Sequence, residues 1–319
     1  MRALGPIDQA FLWLERRQQP MHVGGLMLFK IPEDADKNFV QEVAARFKAV
    51  TPPVRPFNQR LEGMFWEEDE EFDLEHHFRH IALPDPGRVR ELLAYVSQEH
   101  SALLDRAKPL WECHLIEGIE GNRFALYFKM HHAVVDGVAG MRIAQKSLST
   151  DPNEKALTPL WAVKRDKRPK EETTALSNFA DTLTRLRHQA SSVPKVAKEL
   201  YQAIRASYEK DPDYVSVFQA PRSILNQKVS GSRRFAAQSY DLTRIKTIGK
   251  KLGVTINDIV MAMCAGALRS YLLELNALPA KPLIAMVPMS LRRDDSDGGN
   301  QISMILANLG THLADPKAR

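Results

Sequence analysis

The chain has 319 residues, of which 44% are hydrophobic and 26% are charged, a composition typical of globular rather than disordered proteins. Its net charge of +5 is too small to indicate nucleic-acid binding, and it suits a protein that meets phosphates or a membrane surface. With only Cys113 and Cys264, a disulfide framework is excluded and a reducing, cytoplasmic compartment is expected. Asp8 and Glu15 interrupt the N-terminal apolar residues, which argues against a signal peptide.

The N-terminal half has the hydrophobic periodicity of alternating strands and helices. The pattern predicts a strand over 22–29, helices over 38–50 and 87–104, strands over 109–119 and 123–132, and a helix over 136–148. The pair Gly121-Asn122 is a hairpin signal between the last two strands. The acidic run 67–75 is predicted to be a solvated face or a loop.

A Pro-rich, charged stretch over 150–175 is typical of a linker, and helices are predicted over 176–210. From residue 222 a second α/β region is predicted, with a strand over 233–242, helices over 242–253 and 255–275, and strands over 282–291 and 301–313. The apolar window 259–268 is interpreted as part of a buried helix, too short to span a bilayer. Trp161 and the basic residues that follow it are read as plain linker, with contact to anionic lipid as the alternative.

The order of elements predicts an α/β (α+β) fold of two halves with mixed sheets flanked by helices. The predicted domains are 1–150, a linker and helical connector over 151–221, and 222–319. Because the sequence stops directly after a predicted strand, without a closing helix, the second half is expected to be truncated.

The stretch KMHHAVVDGVAG, residues 129–140, places His131 and His132 at the end of a predicted strand, just before Asp136 and Gly137. A histidine on an apolar face is often only a core residue, but a pair at a strand end suits a general base, since histidine titrates near neutral pH. Asp136 is either the N-cap of the next helix or half of a structural ion pair with an arginine.

Other chemistry is less well supported. His76 and His80 have a zinc-like spacing, but no further ligand is near in sequence, so a surface loop is predicted there and no metal site. No Gly-x-Ser-x-Gly elbow, Walker loop or Gly-x-Gly-x-x-Gly motif occurs, and both cysteines lie in apolar contexts. A base that acts without a covalent nucleophile suits direct attack of an alcohol or thiol on an activated ester.

The heptapeptide HHAVVDG (131–137) resembles the His-His-x-x-x-Asp-Gly signature of the coenzyme A-dependent acyltransferase superfamily. The further stretches 6–15, 20–25, 109–118, 255–269 and 287–292 resemble, in the same order, the bacterial wax ester synthase/acyl-CoA:diacylglycerol acyltransferase family. This resemblance implies two chloramphenicol-acetyltransferase-like halves and acyl transfer from acyl-CoA to a long-chain alcohol or diacylglycerol. An Asn-Val-Pro-Gly stretch of the family is absent here, which again predicts a truncated second half.

The resemblance also implies roles for individual residues. His132 would be the general base, with His131 and Gly137 supporting it and Asp136 paired to Arg292. Asn257 and Asp258 fall on a second family motif, for which tunnel architecture or substrate positioning is expected. Candidate substrate-binding residues are Trp111 in the Pro-Leu-Trp stretch, the apolar residues Val23, Leu26 and Met27, and Arg233 and Arg234 within a basic cluster that also contains Lys228, Lys246, Lys250 and Lys251.

The expected partners are therefore acyl-CoA, as a substrate rather than a cofactor, and an alcohol or diacylglycerol. No other cofactor and no nucleic acid is expected, and the location would be peripheral to the inner membrane or lipid inclusions. Two alternatives stay open: a condensation-type enzyme that uses a carrier-protein thioester, and a lipid-droplet binding protein without activity. The Pro-Leu-Trp and Asn-Asp stretches argue against the first, and the intact histidine motif argues against the second.

Overall fold

A computed structural model describes residues 1–135, 137–151, 154, 157–164, 220–290 and 302–319. The chain divides into two compact units. Unit 1 comprises 1–166, 229–237 and 294–300, and unit 2 comprises 167–228, 238–293 and 301–319.

Unit 1 is built on a four-stranded mixed sheet. Its elements, in chain order, are β1 (Arg2–Ala3), α1 (Pro6–Leu14), β2 (His22–Lys30), α2 (Phe39–Lys48), β3 (Gln59–Glu62), β4 (Phe65–Glu68), α3 (Leu74–His77), β5 (Phe78–Ala82), α4 (Val89–Ser101), β6 (Trp111–Ile119), β7 (Arg123–His131), α5 (Gly137–Ser147) and a 3₁₀ turn, Leu160–Ala162. The main sheet has the order β2-β7-β6-β5, in which only β5 and β6 are parallel, and β1-β4-β3 form a small separate sheet. The predicted fold class is thereby confirmed.

The β6–β7 hairpin turns at the predicted pair. Gly121 and Asn122 both have positive φ, at 81° and 55°, which matches the right-handed twist of the flanking strands. The hairpin places β7 between β6 and β2, so both edges of the strand are paired, and every residue of it after Arg123 is buried.

The two faces of β7 pack into different clusters, as their alternation predicts. Phe124, Leu126, Phe128 and Met130 join the main hydrophobic core. Ala125 and Tyr127, on the opposite face, pack against Leu92 and Val96 of α4 in a second cluster. The polar side chains of Lys129 and His131 continue this second face and are fully buried.

Unit 2 contains a 3₁₀ turn (Ile224–Asn226), α6 (Leu242–Leu252), α7 (Ile256–Glu274) and an antiparallel pair of strands, β8 (Ile284–Ser290) and β9 (Ile302–Asn308). Asp241 caps α6 by accepting hydrogen bonds from two backbone N–H groups of its first turn, and Gly253 ends the helix with φ of 69°. Ala265 and Leu272 of α7 pack with Leu283 and Leu309 in the unit's core.

Helix α7 is less buried than the sequence predicts. Of its described residues only Ile259, Ala265 and Leu272 are buried, and Ala265 and Leu272 are the two that join the core of unit 2. With 19 residues, α7 is also long and apolar enough to cross a membrane by length and composition, and 17% of its apolar window is buried. It is the one helix of this kind in the described part of the chain, which is weak evidence for a span.

Three local predictions were wrong. Residues 233–241 form no ladder with a strand in the described part of the chain, and the N–H groups of Arg233 and Phe235 instead donate to serine hydroxyls of α4. The segment around His76 and His80 is α3 and β5 rather than a surface loop, because β5 pairs with β6 along its length. Trp161 is fully buried in unit 1, and its indole N–H donates to the carbonyl of Val50 at 2.9 Å, so it is a core residue.

Among the described glycines of unit 1, Gly87 tolerates a side chain least. Its φ is 63°, and a Cβ would overlap the carbonyl oxygen of Gly118. We expect Gly87→Ala to lower the free energy of unfolding by about 3 kcal/mol, since it combines a left-handed backbone with a backbone collision.

Gly63→Ala is the matched control, because Gly63 has φ of 56° but no atom within 4 Å of the added Cβ. It should cost only about 1 kcal/mol. Urea unfolding followed by tryptophan fluorescence measures both variants, because all four tryptophans lie in unit 1. Equal costs for the two variants would contradict the steric argument.

Candidate active site

The two histidines of the motif lie where β7 ends and the chain turns toward α5. His131 is the last residue of β7, and its N–H donates to the carbonyl of Leu110 at 2.9 Å. His132 is the first residue of the turn, and its N–H donates to the carbonyl of Met21 at 2.8 Å. The turn closes when the N–H of Val134 donates back to the carbonyl of His131 at 2.9 Å. Both histidines are therefore held through their backbone by neighbouring strands.

The ring of His131 is fully buried and faces inward. Its Nδ1 accepts the backbone N–H of Ala133 at 3.0 Å, so the ring proton is assigned to Nε2. That Nε2 lies 3.4 Å from Oε1 of Glu15. His131 thus supports the turn and offers no nitrogen to a substrate.

Glu15 is a buried carboxylate directly after α1, with a side chain that is 2% exposed. Its Oε2 accepts from Nη2 of Arg106 at 3.0 Å, and its Oε1 accepts the backbone N–H of Met21 at 3.2 Å. Burial alone raises the pKa of this carboxyl, but the contacts with His131, Arg106 and Met21 outweigh it and lower the pKa to about 2. Glu15 is therefore ionised at neutral pH.

His132 is only partly buried as a residue, whereas His131 is fully buried, and the Nδ1 atom of the His132 ring is itself buried. The ring of Phe11, from α1, stacks on it with centroids 4.4 Å apart and planes 26° apart. One face of the imidazole is thus covered by an aromatic ring, while part of the residue stays accessible. This arrangement suits a base that must meet a substrate from one side.

A cavity of about 390 Å³ lies on the α4 side of the sheet, beside the same strand end. Residues that line it include His22 and Val23 of β2, His100 of α4, and Arg233 and Arg234. His22 pairs with His131 across the β2–β7 ladder, so one wall of the cavity adjoins the histidine turn. The lining combines apolar side chains with a few polar groups, as ligand sites usually do.

His22 is a neutral polar group of this wall. Its Nε2 lies 2.8 Å from the carbonyl of His100 and must carry the proton, because a carbonyl only accepts. Its Nδ1 is then a bare acceptor, buried and without a hydrogen-bond partner among the described residues. Burial, together with the positive charge of Lys129, lowers the pKa of His22 to about 4. Burial and the charges of Lys129 and Arg233 also lower the pKa of His100.

Besides the ion pair of Glu15 with Arg106, a buried pair joins a lysine of β7, two residues before His131, to a glutamate of β6. Nζ of Lys129 is fully buried, donates to the carbonyls of Glu99 and Ala102, and lies 3.2 Å from Oε2 of Glu112. Burial raises the pKa of Glu112, but its contacts with His114, Lys129 and Arg79 outweigh this effect and lower it to about 2. The carboxylates of Glu99 and Glu112 and the imidazole of His114 also have the spacing of metal ligands. The positive charges of Lys129 and Arg79 already balance those of the two carboxylates.

Comparison with known proteins decides the family. The sequence profile of the wax ester synthase/diacylglycerol acyltransferase catalytic domain matches residues 4–260. The chain is 60% identical to O-acyltransferase WSD of Acinetobacter baylyi, over its whole length and 70% of that protein. It is 45% identical to a probable diacylglycerol O-acyltransferase of Mycobacterium tuberculosis, over its whole length and 71% of that protein.

The chain belongs to the wax ester synthase/diacylglycerol acyltransferase family. A solved member, from Marinobacter aquaeolei VT8, superposes with a TM-score of 0.74 at 47% identity, covering 98% of this chain and 68% of that one. The first condensation domain of the calcium-dependent antibiotic synthetase superposes with a TM-score of 0.50 at 13% identity, covering 96% and 68%, which indicates a shared fold only. As a member of the acyltransferase family, the protein is an O-acyltransferase enzyme.

The structure describes some of the predicted motif residues of this acyltransferase but not all of them. His131 and His132 are described above, whereas Asp136 and Arg292 lie outside the described residues, so their pairing stays a prediction. Gly137 opens α5 without a positive φ, and a Cβ there would meet no described atom within 4 Å. The expected need for glycine at a close turn is therefore not supported at this position.

The second family motif lies at the start of α7, in unit 2. Asp258 accepts hydrogen bonds from the N–H and hydroxyl of Thr255 and completes a capping box, which also lowers its pKa. Asn257 is exposed. In this structure Asp258 stabilises a helix end, and its expected role toward substrate stays a prediction.

The predicted substrate-binding residues are distributed differently from the expectation. Trp111 is fully buried among aromatic rings, and its Nε1 donates to the carbonyl of Phe57 at 2.8 Å, which gives it a core role rather than a surface for substrate. Met27 likewise packs against the main core. Val23, Leu26, Arg233 and Arg234 do line the cavity.

The predicted basic cluster does not lie within one unit. Arg233 and Arg234 belong to unit 1, and Lys228, Lys246, Lys250 and Lys251 belong to unit 2. The guanidinium of Arg233 donates to the carbonyls of Gln18, Ser230 and Ser232, which fixes its position. The side chain of Arg234 is exposed.

Sequence reasoning missed Phe11, Glu15 and His22. Phe11 and Glu15 stand four residues apart in the N-terminal family stretch, a spacing that would have placed them on one helix face. His22 opens an otherwise apolar strand, and it faces His131 only once the pairing of β2 with β7 is known.

Proposed function

We propose that the protein transfers a fatty acyl group from acyl-CoA to the hydroxyl of a long-chain alcohol or of diacylglycerol, with His132 as general base. The observation that carries this proposal is the placement of His132, a partly buried residue held at the strand end by the ring of Phe11 and by the carbonyl of Met21. Family membership supports the reaction, since the similar proteins are called wax ester synthase and diacylglycerol acyltransferase.

In this mechanism His132 takes the proton of the acceptor hydroxyl as its oxygen attacks the thioester carbonyl carbon. The carbon–sulfur bond of the tetrahedral intermediate then breaks, and the imidazolium returns the proton to the leaving thiolate. The products are an ester and free coenzyme A. No covalent acyl-enzyme is required, which agrees with the state of Cys113, because burial raises the pKa of its thiol.

His132→Ala should lower turnover by at least about 100-fold, because a general base contributes that much or more. The assay measures ester formation and free thiol release from palmitoyl-CoA, with hexadecanol and with dioleoylglycerol as acceptors. His312→Ala, an exposed histidine of unit 2, is the control and should keep normal activity. Retained turnover in His132→Ala would remove the proposed base.

The donor is further proposed to meet unit 1 at the cavity, with its phosphates at Arg233 and Arg234. Two arginines stand at this cavity, and the backbone contacts of Arg233 leave its positive charge without a carboxylate among the contacts described. A phosphate is the ligand that such a pair binds most readily. The neutral Nδ1 of His22 would accept an amide N–H of the pantetheine arm.

Arg234→Ala should raise KM for acyl-CoA two- to fivefold and leave kcat nearly unchanged, the effect of an exposed ion pair worth up to about 1 kcal/mol. With an acyl-pantetheine thioester, which lacks the nucleotide phosphates, the same variant should behave as wild type. Arg90→Ala, on an exposed part of α4, is the matched control. An equal loss with both donors would contradict phosphate binding at Arg234.

Work at a membrane or lipid-inclusion surface is proposed because the acceptors are insoluble in water and the chain has a net charge of +5. The purified protein should float with vesicles that contain anionic phosphatidylglycerol, and less so with neutral vesicles or at high salt. Absence of flotation with both kinds of vesicle would contradict this location.

A carrier-protein thioester is the alternative acyl donor. Release of free coenzyme A during ester formation distinguishes acyl-CoA from a carrier-protein thioester as the donor.

A further inference from the structure

The geometry points to Phe11 and Glu15 as positioning residues that hold the histidine pair in its working arrangement. Phe11 would fix the ring of His132, and Glu15 would fix the ring of His131 and the backbone behind His132. This inference rests on the proposed role of His132 as base. Neither residue belongs to the His-His-x-x-x-Asp-Gly signature.

The two side chains come from one face at the end of α1. Residues four apart in a helix lie one above the other, and the N–H of Glu15 donates to the carbonyl of Phe11 at 3.1 Å, which completes this last turn. The other aromatic side chain of α1, that of Trp13, is 71% exposed. The helix therefore presents one aromatic ring to His132 and another to solvent.

Phe11 restricts His132 by direct contact. Stacked rings 4.4 Å apart leave little room for the imidazole to rotate about its second side-chain torsion. Phe11 covers one face of this ring, so a substrate has to reach His132 from another direction. Because proton transfer requires the nitrogen within hydrogen-bond reach of the hydroxyl, a loose ring would spend less time in the reactive orientation.

Glu15 acts through two neighbours. On one side it faces the Nε2–H of His131, whose Nδ1 receives the N–H of Ala133 and so shapes the turn. On the other side the same oxygen accepts the N–H of Met21, whose carbonyl receives the N–H of His132. The carboxylate thereby connects both ends of the turn. Its own side chain is 2% exposed, so it has no direct contact with substrate to offer.

Arg106 explains why the carboxylate stays in place. Its guanidinium donates to Oε2 of Glu15 and also to the carbonyl of Leu12, so it connects the segment after α4 to the end of α1. A glutamine at position 15 would place an amide N–H₂ opposite one of these donors. The uncharged isostere would therefore fit the space while weakening the hold on His131, Met21 or Arg106.

The experiment compares Glu15→Gln and Phe11→Leu with wild type and with two matched controls. Glu112→Gln removes another buried carboxylate of the same sheet, and Trp13→Leu removes the exposed ring of the same helix. Steady-state kinetics with palmitoyl-CoA and hexadecanol are measured together with thermal unfolding. We expect both test variants to lose kcat roughly ten- to hundredfold with KM changed less than about twofold, as small misplacements of a catalytic group do.

The controls should keep kcat within about twofold, even if Glu112→Gln unfolds at lower temperature. Nitrogen-15 spectra of the histidine rings add a direct readout. Wild type should show His131 with a protonated Nε2 and a bare Nδ1, and Glu15→Gln should show a mixture of the two tautomers. If Glu15→Gln fails to fold, the inference is tested by comparing kcat of Phe11→Leu with kcat of Trp13→Leu.

Folded test variants with normal kcat would overturn the inference, and so would an equal loss of kcat in the controls. Combining Phe11→Leu with His132→Ala separates this inference from the proposed function. There, Phe11→Leu should cause no further loss, since it acts through the missing ring. Activity retained by His132→Ala itself would reject the base, whereas an inactive His132→Ala beside fully active Glu15→Gln and Phe11→Leu would reject only the positioning role.

Discussion

A charge buried in protein is tolerated only when other groups replace the water it has lost, and the carboxylate of Glu15 meets this condition with three partners from three parts of unit 1. Met21 precedes β2, Arg106 follows α4, and His131 ends β7. Together with the end of α1, these segments converge on one anion. The position of the histidine turn is therefore determined by the requirement to satisfy this group as well as by hydrophobic packing.

The central strand explains how a polar turn is supported inside an apolar sheet. One face of β7 contributes only hydrophobic side chains to the main core, whereas the other changes from Ala125 and Tyr127 to Lys129 and His131 as it nears the turn. Each of the two polar side chains faces a glutamate, Glu112 or Glu15. Because buried polar groups without partners would be costly, Glu112 stabilises the strand interior at Lys129, whereas Glu15 stabilises the strand end at His131.

Much of this fold could be predicted from sequence where the signal is local. The strands and turn from 109 to 132, the helix ending at Gly253 and the helix after Thr255 all follow from periodicity and capping residues. The family resemblance added the role expected of His132, which lies at the predicted strand end. Prediction failed where tertiary contacts decide: residues 233–241 look like a strand, but Ser97 and Ser101 of α4 take the N–H groups of Phe235 and Arg233.

The walls of the cavity beside the turn differ from the usual histidine-rich site in one respect. Burial and neighbouring cations oppose protonation of both imidazoles: the pKa of His22 is lowered to about 4, and that of His100 is also lowered. The positive character of this cavity then comes from arginines, which remain charged at every physiological pH. Around neutral pH the charge that would attract an anion to this cavity therefore rests on guanidinium groups rather than on the imidazole of His22.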